Sequence, residues 1–173
     1  MKRVKFGIQG VSPLLMHRFP EEGEDGGKDK TKKEQARNSM YEQKGKPYIP
    51  GSNLWRSFVS AANYSKGKGR ATLSRPAAAG LLIRDEHLWL DTPWVVDSRP
   101  VVNPPTGGRI IRHRAKFEEW KVEGMLEYDE ALLTGQEVRK IVDDAGARVG
   151  VLDFRPECKG PFGRFMVVKW EAA

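Results

Sequence analysis

Apolar and polar positions alternate over residues 2–12, with Val4, Phe6, Ile8 and Gly10 on one side and Arg3, Lys5 and Gln9 on the other. A period of two predicts a first strand whose apolar face meets the core. Leu14-Leu15-Met16 extends it after a break at Ser12-Pro13. From Ser52 the period lengthens. Leu54, Trp55, Phe58, Val59 and Ala62 form one helical stripe that ends near Asn63-Tyr64. Pro47 and Pro50 hold the preceding residues extended, and Gly51 lets the chain turn. Ser52 is read as the N-cap, its hydroxyl accepting from an orphan amide of the first turn.

The second half repeats these periods. Leu81–Ile83 and Leu88–Leu90 read as two short strands, or one bent strand, around a polar turn at Arg84–His87. Pro93–Val102 is extended, Asn103–Gly108 is a turn-rich tip, and Arg109–Phe117 returns, which makes a hairpin. Trp120–Tyr128 alternates as a strand. Thr134 precedes Glu137 at capping-box spacing, and Val138, Ile141 and Val142 give the next helix its apolar face. Gly146 and Gly150 end that helix, and Phe165–Trp170 forms the last strand. The order strand, helix, hairpin with insertions, strand, helix, strand predicts an α+β fold. It is close to a ferredoxin-like (RRM-like) βαββαβ core, with two helices on one face of an antiparallel sheet.

Composition changes this picture in two places. Residues 20–46 mix acids, lysines and glycines with almost no apolar side chain, so a mobile charged insertion is expected there. The chain of 173 residues suits a single domain, with a second insertion, carrying the hairpin, over about 65–117. The net charge of +7 favours a polyanionic partner. Cys158 is the only cysteine, which excludes an intrachain disulfide and a multi-cysteine zinc site. The basic start leads into alternation rather than a continuous apolar stretch, and no apolar run reaches membrane-spanning length. A cytoplasmic protein without membrane contact is expected.

The candidate chemistry is cationic. The helix opening at Ser52, Asn53 and Arg56 offers amides, a dipole and a charge to an anion, although an ordinary capped helix would look the same. Lys66, Lys68 and Arg70 alternate with glycine in a loop able to follow phosphates, although a solvated linker would look the same. The returning hairpin arm carries Arg109, Arg112, His113, Arg114 and Lys116, with Arg99 on the opposite arm. Arg112 and Arg114 share a face, with Lys116 in line, at a spacing that suits successive phosphates of a single strand. A charged edge strand is the plain alternative. Acids to balance the row are few before Glu118, which favours nucleic acid. Lys159 and Arg164 flank Gly160 and Gly163 in a late loop. No Walker loop, calcium loop or paired catalytic groups are present, so no cofactor, metal or catalytic residue is assigned. His17 and His87 read as surface groups.

The stretch Tyr48-Ile49-Pro50-Gly51-Ser52-Asn53-Leu54 before a basic helix, together with the late glycine loop, the element order and the basic hairpin, resembles the RAMP superfamily. These proteins form the RNA-binding backbone of CRISPR effector complexes. The resemblance implies a non-catalytic subunit lying along the phosphate backbone of a guide RNA. It implies other copies of itself, other effector subunits, and target DNA or RNA as partners. In some such subunits a loop aspartate cuts RNA. Asp25 or Asp29 matches it by position only, and that activity is not carried over. A RAMP-type endoribonuclease using His17, His113 or an insertion aspartate stays open as an alternative, as does a phage or mobile-element protein that binds single-stranded nucleic acid. The aromatic signature of RNA-recognition modules is absent.

Overall fold

The computed structural model describes residues 1–19, 30–67, 69, 71–103 and 105–173. In chain order its elements are β1 (Lys2–Gly10), β2 (Leu14–Met16), α1 (Lys32–Asn38), β3 (Glu42–Gln43), β4 (Lys46–Pro50) and α2 (Gly51–Ala61). Then follow α3 (Ser74–Gly80), β5 (Leu81–Ile83), β6 (His87–Trp89), β7 (Val95–Val102), β8 (Arg109–Phe117), β9 (Lys121–Tyr128), α4 (Gly135–Asp144) and β10 (Phe165–Ala172).

The fold is α+β. Its main sheet is antiparallel, in the order β10-β1-β9-β5. Alternation in β1 buries Val4, Phe6 and Ile8, and the ring of Phe6 meets Phe58 of α2 edge-on at 6.3 Å. Helices α2 and α4 bring Leu54, Phe58, Val138, Ile141 and Val142 into the same core. The other face is charged. Lys169 reaches Glu123 at 3.1 Å, and Glu127 is clasped by Arg3 and Arg84 at 2.6 Å each. Hydrogen bonds from Arg84 and then Arg3 hold the Glu127 carboxyl below the usual range against the opposing effect of burial.

Two smaller sheets flank this body. One, ordered β2-β8-β7, carries the hairpin; the other, ordered β3-β4-β6, leads into α2. Leu81–Ile83 and His87–Trp89 therefore belong to different sheets. Segment 65–117 is not one continuous insertion, because β5 lies in the main sheet. The first ten residues of the charged stretch expected to be mobile, 20–29, lie outside the described residues, and with them Asp25 and Asp29. Residues 30–46 take regular structure. Thr31 and Glu34 form a capping box on α1, and Ala36 and Met40 are buried. Two well-placed apolar residues anchor a segment whose mean composition is polar.

Pro50 ends β4 and stands at the N-cap of α2, where no side chain caps the helix. This corrects the expectation for Ser52, which is exposed and makes no side-chain hydrogen bond among the described residues. The Gly51 N–H goes to the Glu86 carbonyl at 2.9 Å, so the β4–β6 junction satisfies it. Gly51 is needed for close approach rather than for its own φ. A Cβ there would lie 2.0 Å from the Asp85 carbonyl oxygen.

Candidate nucleic-acid interface

A cavity of about 240 Å³ opens at the start of α2, lined by His17, Tyr41, Asn53, Arg56, Ser57, Leu152, Asp153 and Arg155. Four chain segments build it. His17 follows β2, Tyr41 precedes β3, and Asn53 and Arg56 come from the first turns of α2. Leu152, Asp153 and Arg155 come from the loop before β10. That loop is bent back by left-handed backbone at Gly150, Leu152, Phe154, Lys159 and Gly163. Three of these residues are not glycine, so the surrounding contacts must hold the strain. They include Ser57 Oγ donating to the Gly150 carbonyl at 2.7 Å and Asp153 N–H donating to the Leu15 carbonyl at 3.0 Å. Gly160 abuts the carbonyl of Phe154 within the loop itself. The close approach it permits is thus internal.

The electrostatics of the cavity favour an anion. The first turn of α2 contains no acid, so the helix dipole is not neutralised from within. Arg56 is exposed, and among the described residues its side chain makes no hydrogen bond or ion pair. Arg155 is fixed by the Leu152 carbonyl at 2.9 Å and by Glu157 at 2.6 Å. Burial would raise the Glu157 carboxyl, yet hydrogen bonds from Ser60 and Arg155 hold it low. His17 Nδ1 stands 3.8 Å from Asp153 Oδ2, too far for a hydrogen bond. Asp153 is instead bound by Arg114. Burial pushes the His17 imidazole below its ordinary value, Asp153 pulls it up, and Arg114 and Arg112 push it down again.

The hairpin divides its cations. Arg114 is buried, bonded to Asp153 and 4.0 Å from Asp97, its cross-strand neighbour. Arg99 grips Asp97 bidentately at 2.6 and 2.7 Å and lies 4.8 Å over the Phe162 ring. Burial would raise Asp97, but the hydrogen bonds from Arg99 and the nearby charges of Arg99, Arg114 and Lys116 keep it low. The expected row of Arg112, Arg114 and Lys116 is therefore broken. Arg114 turns inward, and Lys116 pairs with Glu118 at 2.6 Å. The balancing acids come from the opposite arm and from the loop before β10. Nor is β8 an edge strand along its base, since β2 and β7 flank it.

Arg109 and Arg112 are exposed, and among the described residues their side chains make no hydrogen bond or ion pair. His113 Nδ1 is 2.7 Å from Ser98 Oγ. Arg164 is spent on the Ala147 carbonyl at 2.7 Å, whereas Lys66 and Lys159 are exposed and find no partner among the described residues. Lys68 and Arg70 lie outside the described residues. The structure thus brings Asn53 and Arg56 together with three groups that sequence reasoning passed over or set aside: His17, Asp153 and Arg155. Among the described residues no cluster of three or more His, Cys, Asp or Glu could hold a metal ion, and no helix is long and apolar enough to cross a membrane.

No family model matches the sequence, and no curated relative matches it. The fold is similar to that of a chain in the type III-B Cmr-β assembly bound to cognate target RNA, determined by cryo-electron microscopy. The TM-score is 0.64 at 12% identity, over 99% of this chain and 60% of that one. This chain spans about three-fifths of the length of the chain it matches.

Proposed function

We propose that this chain is a non-catalytic, RNA-binding subunit of a CRISPR-type ribonucleoprotein, related to the RAMP backbone proteins and acting in the cytoplasm. The order β10-β1-β9-β5, with α2 and α4 as its two crossover helices, reads as a ferredoxin-like core. The observation that carries the proposal is the cavity at the uncapped start of α2, where Asn53, Arg56, Arg155 and His17 converge. Likeness of fold to a subunit of an RNA-bound assembly supports it. A phosphate of a guide strand would sit at this helix start, with Arg112 and Arg109 on the hairpin, Lys66 and Lys159 tracking its neighbours. Copies of the chain would repeat along the strand.

Fluorescence anisotropy with labelled single-stranded RNA tests this reading. Binding should be largely independent of sequence, tighten with strand length, and weaken steeply with salt. A protein that binds no strand at low ionic strength would overturn it. Recovery of RNA of defined length from material purified without nuclease would identify the guide.

A further inference from the structure

The outward face of the β3-β4-β6 sheet carries an unusual set of side chains. Leu88 and Ile49 point inward and are buried. Tyr48, His87 and Trp89 stand on the other side. The rings of His87 and Trp89 are stacked, 5.3 Å apart and 16° from parallel. Tyr48 meets both edge-on, at 4.1 Å from His87 and 5.7 Å from Trp89. Trp89 keeps 38% of its surface exposed. The register sets Tyr48 opposite Trp89 and Pro50 opposite His87. Lys46 therefore falls beyond Trp89 on the side away from His87, and its ammonium lies 5.6 Å from the Trp89 ring centre. Among the described residues the other partner of that ammonium is Asp91, at 2.8 Å on an exposed carboxylate.

A solvated sheet face is ordinarily furnished with threonines and charges, so three clustered rings ask for an occupant. The polar tips agree. Among the described residues, Trp89 Nε1, Tyr48 Oη and both His87 nitrogens find no hydrogen-bond partner. The half-exposed Trp94 and Trp170 share that feature, which on its own reports only exposure. What sets Trp89 apart is a preformed stack with one lysine ammonium over its outer face. That combination suits a planar, hydrogen-bonding, negatively tethered group, and a nucleobase of a single strand fits all three requirements.

Its position relative to the cavity gives the second argument. Tyr41 lines the cavity, and its ring also lies 6.1 Å from that of Tyr48. The same backbone that presents Tyr48 runs through Pro50 into α2, which presents Asn53 and Arg56. Phosphate site and aromatic face are thus adjacent, joined through Tyr41. We infer that Trp89, His87 and Tyr48 form a stacking platform for one unpaired base of the strand whose phosphate occupies the α2 cavity, with Lys46 swinging from the ring to the adjoining phosphate. This inference rests on the RNA-binding reading above.

The test compares an RNA oligonucleotide with an abasic strand of the same length, each titrated against the wild-type protein and against the Trp89→Ala and Trp89→Phe variants. Thermal unfolding confirms that each variant is folded. Stacking of one base predicts that Trp89→Ala weakens RNA binding about tenfold, that Trp89→Phe restores most of it, and that neither change affects the abasic strand. Wild-type binding to RNA that Trp89→Ala leaves unchanged would overturn the platform while the RNA-binding reading stands. If that variant also broke up self-association in sedimentation, the face would be a protein-docking surface instead. Wild-type protein that binds neither strand would overturn both.

Discussion

Helices α2 and α4 pack against each other and share one core, but their starts are built in opposite ways. At α4 the Thr134 hydroxyl accepts the Glu137 N–H at 3.3 Å, and the Glu137 carboxylate takes the Thr134 N–H at 2.7 Å. The orphan amides and the positive end of the dipole are satisfied from within. At α2 the cap is Pro50, no side chain closes the turn, no acid enters it, and Arg56 adds positive charge beside an open cavity. The same structural element has been sealed in one place and left open to an outside anion in the other. An unsealed helix start costs stability, and occupation by a ligand would recover it.

The largest effect should come from the glycines that begin the two helices. In α2 an alanine at Gly51 would place its Cβ 2.0 Å from a backbone oxygen, that of Asp85. The β4–β6 junction would have to open, and Gly51→Ala should cost about 3 kcal/mol in urea denaturation. In α4 the corresponding Cβ at Gly135 meets only the Tyr128 hydroxyl, at 3.0 Å. A ring tip can give way, and alanine is the better helix former, so Gly135→Ala should stay within about 1 kcal/mol of the parent. Equal losses would mean that the two starts are not differently constrained.

The next contrast is functional. Arg56→Ala should weaken RNA binding about tenfold and lower the salt dependence by about one phosphate contact. Arg139→Ala removes the same charge from α4, where the guanidinium is paired with Asp143 at 3.0 Å and lies 5.3 Å over the Trp170 ring. It should leave affinity within a factor of about two. Matching losses would reduce the α2 site to general attraction by net charge. A smaller contrast concerns the caps. Thr134→Ala should cost about 1 kcal/mol of stability with RNA affinity intact. Ser52→Ala, which removes no cap, should change stability by less than about 0.5 kcal/mol.

What the sequence disclosed follows from the range of the forces involved. The periods of β1, α2 and β9 and the capping box at Thr134 and Glu137 are local, and each was legible. The hairpin was legible too, and the Asn103 N–H donates to the Gly108 carbonyl where it returns. Its charge balance was not. Arg114 is neutralised by Asp97 across the strand pair and by Asp153 from the loop before β10, and only the folded chain brings those acids near. His17 looked partnerless for the same reason, since the charges that act on it arrive from β8 and the same late loop. Ser52 was misjudged because a backbone carbonyl, that of Glu86, took the role expected of a side chain. Arg155 was within reach of sequence reasoning: it stands beside Pro156 in the same loop as Lys159 and Arg164, which were singled out.

The finest test of the comparison is a proton. His17 faces the α2 cavity, and no histidine lies at the start of α4. Burial first, then Arg114 and Arg112, lower its folded pKa against the pull of Asp153. Arg56 and Arg155 line the same cavity. The unfolded chain titrates this histidine at about 6.5 and so binds the proton more readily than the folded one. In the free protein its contribution to stability is therefore present above that pH and declines as the pH falls below it. A phosphate in the cavity reverses the preference, because its negative charge favours the imidazolium. RNA binding should then take up a proton, and affinity should rise about threefold from pH 8 to pH 6 at constant ionic strength, while the stability of the free protein falls. Anisotropy titrations and calorimetry in two buffers of different ionisation enthalpy measure these trends. His17→Gln should flatten both, and Thr134→Ala should flatten neither. An unchanged pH trend in the His17→Gln protein would show that the bound phosphate does not face His17, and would move the anion away from the open start of α2.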